Sequence, residues 1–105
     1  MRNLIEGYNE LEQKLGYKPN FHDDYIEQVI INKDRIIFDL KTVDKVYYSL
    51  IFEDVKEIDL KGEILGTIGI IFELDIKSVE GVITTYIQSS LGLYGKIASK
   101  RIIVK

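Results

Sequence analysis

The chain is 105 residues long, the length of one domain, with 46% hydrophobic and 30% charged residues, an ordinary globular balance. It has no cysteine, which removes disulfides, thiol nucleophiles and thiolate metal sites together. The net charge of −3 lacks the basic field that a nucleic-acid binder presents, and the start Met1–Glu6 carries charge where a signal peptide needs an apolar run. These features predict a cytoplasmic protein with no membrane segment and no nucleic-acid partner.

The apolar stripe Leu4, Tyr8, Leu11 and Leu15 predicts a helix over residues 3–15. Asn3 is placed to cap it, with Glu6 completing a box-like start. Gly16 suits the left-handed position after the last turn, and Pro19 blocks continuation. Gly7 lies inside this span and costs about 1 kcal/mol against alanine. From Tyr25 the period changes to two, in a chain where eighteen residues are isoleucine. Strands are expected at Tyr25–Asn32 and Arg35–Lys41, the second with Ile36, Phe38 and Leu40 on one face. Lys45–Glu53 follows, with Val46, Tyr48, Leu50 and Phe52 on one face. Asp54–Lys61 reads as strand or irregular edge. Thr67–Ile76 aligns Ile68, Ile70, Phe72 and Leu74. Lys77–Gly81 turns, and Val82–Gln88 and Lys96–Val104 form the last pair around the loop Ser89–Gly95.

One helix before strands that follow one another without helical crossovers defines the α+β class. The expected architecture is an N-terminal helix packed on a mainly antiparallel sheet of six or seven strands, with strong curvature. The spacing is compatible with an open sheet or a closed one.

Candidate chemistry is sparse. Phe21-His22-Asp23-Asp24 holds the single histidine beside two carboxylates. Imidazole and carboxylate are metal ligands and proton carriers. The same residues also suit a polar lead-in to a strand, the acids accepting backbone N–H bonds. A zinc site here would need its further ligands from Asp or Glu alone, against the metal's preference for nitrogen and sulfur. Lys96, Lys100, Arg101 and Lys105 place charge on the last strand, as protection of a sheet edge would. Acids recur throughout, Glu53 and Asp54 among them. The seven tyrosines exceed what a core this small needs, so some of Tyr25, Tyr47, Tyr48, Tyr86 and Tyr94 should be exposed.

Three segments are similar to the immunity protein 50 family of bacterial polymorphic toxin systems. They are Phe21-His22-Asp23 with Ile26 and Val29; Leu50-Ile51-Phe52-Glu53-Asp54-Val55 with Ile58 and Leu60; and Gly95-Lys96-Ile97-Ala98 with Ile102 and Val104. The resemblance implies a small β-rich protein that neutralises a cognate toxin domain by stoichiometric binding. It further implies no catalysis and no cofactor. The last strand could pair with a second copy, against which its lysines act, so a monomer or weak homodimer is expected. Phe21, His22 and Asp23 carry over as motif positions. Asp24, Tyr47, Glu53, Asp54, Tyr86 and Tyr94 join them as candidate binding residues. The alternatives are a small binding module without a toxin and a metal-dependent enzyme centred on His22, Asp23 and Asp24.

Overall fold

The period-two segments become six antiparallel strands among the described residues, which in this computed structural model are 2–62, 69–90 and 92–105. The elements are a 3₁₀ turn (Arg2–Leu4), helix α1 (Tyr8–Leu15) and strands β1 (Tyr25–Asn32), β2 (Arg35–Lys41), β3 (Tyr47–Lys61), β4 (Gly69–Val79), β5 (Val82–Ser89) and β6 (Tyr94–Val104). This is an α+β fold. Strand order β1-β2-β3-β6-β5-β4 closes into a barrel. Two three-stranded meanders therefore meet along two seams.

The seams are unequal. β3 and β6 pair from Leu50↔Val104 to Lys61↔Tyr94. Among the described residues β1 and β4 share Tyr25↔Ile70 and Ile26↔Gly69. A loop extends the short seam: the Asp23 amide donates to the Ile71 carbonyl at 2.9 Å, and the Ile71 amide donates to the Asp24 carbonyl at 2.9 Å.

Alternation sends one face of each strand inward. Ile36, Phe38 and Leu40 of β2 meet Tyr48, Leu50 and Phe52 of β3 and Ile97, Ile102 and Val104 of β6 in one cluster. Phe38 and Phe52 meet edge-on at 5.7 Å between ring centres. Each large apolar side chain buried this way contributes about 1.5–3 kcal/mol. Tyr8 and Leu11 of α1 are buried in the same cluster, and the Tyr8 hydroxyl donates to the Pro19 carbonyl at 2.7 Å.

Four details differ from the sequence reading. First, the helix does not begin at Asn3. Glu6 pairs with β6 instead, donating to the Ile102 carbonyl and accepting from the Val104 amide, both at 2.8 Å. Gly7 then turns into α1 at φ 85°, where an added Cβ would lie 2.5 Å from the Val104 carbonyl oxygen. Only glycine fits so close an approach at that angle. The helix does stop where expected, with the Gly16 amide bonded to the Glu12 carbonyl at 2.8 Å.

Second, the two segments expected on either side of Asp54 are one fifteen-residue strand, β3, whose register with β6 shifts between Val55 and Glu57. A bulge bends a strand without ending it. Third, a shift between Ile71 and Glu73 of β4 changes which residues face inward. Ile71, Leu74 and Ile76 are buried, and Phe72 is exposed. Residues 67 and 68, including the expected inward Ile68, lie outside the described residues. Fourth, β6 is no edge: it lies between β3 and β5. Two of its charges are matched in place, Lys96 with Glu57 at 3.2 Å and Arg101 with Glu6 at 2.7 Å.

Candidate protein-binding site

The Phe21–Asp24 segment sits where the chain passes from α1 into β1, and its four side chains go separate ways. Phe21 is fully buried, with a left-handed backbone (φ 65°) and its ring tilted against Tyr48 at 6.2 Å. His22 and Asp23 are exposed, with Nδ1 of the imidazole 3.1 Å from Oδ2 of the carboxylate. The His22 amide donates to Asn20 Oδ1 at 3.0 Å. Asp24 is 7% exposed, and its carboxyl accepts a hydrogen bond from the Tyr48 hydroxyl. Burial pushes the Asp24 carboxyl above its ordinary range, opposed by the Tyr48 hydrogen bond and assisted by the nearby Asp23 charge. The Tyr48 phenol is likewise pushed up, first by burial and then by its bond to Asp24.

His22, Asp23 and Asp24 therefore do not converge on one point. Among the described residues no group of three His, Asp or Glu side chains is placed to hold a metal ion. The segment's visible work is structural: a ring in the core, a carboxyl bonded across it to β3, and two backbone bonds that help close the barrel.

The other candidates fall on three surfaces. Glu53 and Asp54 lie beside Arg35 and Arg101, with Arg101 Nη1 3.1 Å from Glu53 and the Arg35 Nε 3.8 Å from it. Arg101 also grips Glu6 with two bonds, 3.1 and 2.7 Å, which hold the Glu6 carboxyl below its usual value. This cluster satisfies itself. Tyr47 belongs to a row Tyr25–Lys41–Tyr47 across β1, β2 and β3, where the Lys41 ammonium lies 5.4 Å and 5.9 Å from the two ring centres. Tyr47 also borders a polar groove of about 570 Å³ whose Asp39 is held by Gln28 and Ser49.

Tyr86 and Tyr94 come together on the third surface, the outer wall of β4, β5 and β6. Register aligns two rows there. One runs Asp75–Tyr86–Lys96–Asp59 and the other Glu73–Gln88–Tyr94–Lys61. Tyr86 is 45% and Tyr94 50% exposed, and with Glu73 and Asp75 they line a groove of about 440 Å³. Across the ridge made by those two acids, a second groove of about 380 Å³ is lined by Asn20, His22 and Phe72, the last 49% exposed. Lys77 lies 3.7 Å from Asp75 and 5.8 Å from the Tyr86 ring centre. Glu73 has no ion pair among the described residues. The result is a wall of three exposed rings around two carboxylates, reaching His22 at its margin.

Sequence reasoning placed Tyr86, Tyr94 and His22 among its candidates but missed Phe72, Glu73 and Asp75 as their neighbours. Phe72 was expected in the core, and the bulge that expels it leaves no mark in an aliphatic run. The partnership of Asp75 with Tyr86 follows from register, which a tight two-residue turn between Val79 and Val82 fixes. That turn's Glu80-Gly81 was the available signal.

Comparison of the chain with family models, curated proteins and solved structures finds no match. Among the described residues no helix is long and apolar enough to cross a membrane.

Proposed function

We propose that this protein acts by binding another protein stoichiometrically, as a cytoplasmic immunity protein that neutralises a cognate toxin domain without turnover. The observation that carries this reading is the exposed wall of Phe72, Tyr86 and Tyr94 around Glu73 and Asp75. Aromatic rings offer large contact area at low entropic cost, and they dominate the energetics of protein interfaces. Carboxylates among them attract a basic partner and speed its association. A closed barrel presents these side chains on paired strands. The similarity of the Phe21-His22-Asp23, Leu50–Val55 and Gly95–Val104 segments to the immunity protein 50 family points the same way.

The testing experiment is co-expression with the C-terminal domain of the protein encoded immediately upstream. Restored growth together with a co-purifying one-to-one complex supports the reading. A domain that kills equally with and without this protein refutes it. The groove beside Tyr47 and Asp39 favours a second reading, a small-ligand binding module, because its volume of about 570 Å³ matches ordinary ligand sites.

A further inference from the structure

Among the described residues, β4 is bonded along its full length on one side only. Its ladder with β5 runs from Ile71 to Val79. On its other side, pairing with β1 covers Gly69 and Ile70, and the loop bonds to Asp23 and Asp24 reach Ile71. Beyond that point, from Phe72 to Val79, no strand pairs with this edge among the described residues. Unpaired strand edges are templates for another chain, and proteins commonly shield them with proline, lysine or a covering element. This edge has one lysine, Lys77, already drawn to Asp75 at 3.7 Å. Its outward side chains otherwise include Phe72, Glu73, Asp75 and Val79, all exposed.

We infer that the free edge of β4 receives an extended, lysine- or arginine-bearing segment of a partner protein, which adds to the barrel as a further strand. Main-chain hydrogen bonds supply the affinity in strand addition, and alternate side chains supply the specificity. The alternate side chains of the incoming strand fall beside Glu73 and Asp75 on one face. The acids sit on the ridge between two grooves, so a basic side chain reaches a carboxylate while an apolar neighbour rests on Phe72 or Tyr86. A second copy paired about Asp75 sets that carboxylate against itself, whereas pairing about Ile76 sets it opposite Lys77, so self-association through this edge is an outcome the test separates from partner binding. The inference rests on the protein-binding reading and specifies where and how that binding occurs.

A dye-labelled eight-residue peptide of alternating valine and lysine is the probe, read by fluorescence anisotropy and by backbone amide shifts of the intact protein. Shifts should concentrate at residues 72–79, and exchange of amides there should slow on binding. Glu73→Lys with Asp75→Lys should weaken binding by about tenfold or more, since both attractions become repulsions. The same peptide N-methylated at alternate residues keeps its charge but loses its donors, and should not bind. Equal binding of the N-methylated peptide, shifts centred on the Tyr25–Lys41–Tyr47 row, or concentration-dependent dimers that use the β4 edge would each overturn the inference. With an actual partner, an unaltered complex in the double charge reversal refutes the β4 site but leaves the binding reading standing. Absence of any complex refutes the binding reading itself.

Discussion

The bond between the Tyr48 hydroxyl and the buried Asp24 carboxyl makes a pH-dependent contribution that Tyr48→Phe exposes. The substitution keeps the ring that packs against Phe21 and removes only the donor. A hydrogen bond to a charged group contributes about 1.5–3 kcal/mol and one between neutral groups about 1 kcal/mol. With Asp24 ionised, the variant should therefore lose about 2 kcal/mol, and with Asp24 protonated about 1 kcal/mol. At a urea dependence of roughly 1.5 kcal/mol per molar, the midpoint falls by about 1.3 M with Asp24 ionised and about 0.7 M with it protonated. The direction follows from linkage. Burial raises Asp24 above its unfolded value, so its favourable contribution is complete below that unfolded value and is lost as pH rises through the raised one. Removing the donor raises Asp24 further, so the defect of Tyr48→Phe grows as pH rises from the parent's raised value to the variant's higher one. Urea melts in buffers from about pH 4 to about pH 7 provide the assay. Asp24→Asn, which keeps an acceptor for Tyr48, should flatten the pH profile. A defect of equal size at every pH, with Asp24→Asn leaving the profile unchanged, would refute this account.

Three further outcomes are expected. Gly95→Ala should destabilise the fold by about 3 kcal/mol or more, because φ is 142° and the added Cβ would overlap the Asp59 carbonyl while lying 3.0 Å from the Leu60 Cα; a melt within one degree of the parent contradicts this. Thr85→Val should leave stability unchanged or raise it by about 1 kcal/mol, since the Thr85 hydroxyl is buried with no hydrogen-bond partner among the described residues; a lowered urea midpoint would show that the hydroxyl is satisfied. Tyr94→Ala should shift stability by no more than about 0.5 kcal/mol, yet cost about 2 kcal/mol of partner affinity in titration calorimetry. Unchanged affinity would remove Tyr94 from the interface.

The strands were largely legible because most of them, β2 and β5 above all, bury alternate residues. Tyr25–Asn32 and Arg35–Lys41 match β1 and β2 to the residue, and the inward trio of β2 is the one its alternation indicates. What the sequence hid was long-range. Glu6 leaves the helix because β6, almost a hundred residues away, offers it a ladder. Phe72 leaves the core because β4 carries an extra residue opposite Ser89. Barrel closure depends on Asp23 and Asp24 meeting Ile71, a contact with no local signature. The candidate site was legible as residue types, the surplus tyrosines and the acids. Its assembly was not, because rows across strands are set by register rather than by spacing along the chain.

The inequality of the two seams sets an order of events for folding. Each meander is built from neighbours in sequence and can form by short loop closures, whereas each seam joins residues more than thirty positions apart. Among the described residues the β3–β6 seam repays that closure with a long ladder and the β1–β4 seam with two residue pairs. The barrel should accordingly assemble as a curved sheet joined through β3 and β6, and shut along β1 and β4 last. Read in reverse, the same line is where the native cylinder unzips at the lowest free energy.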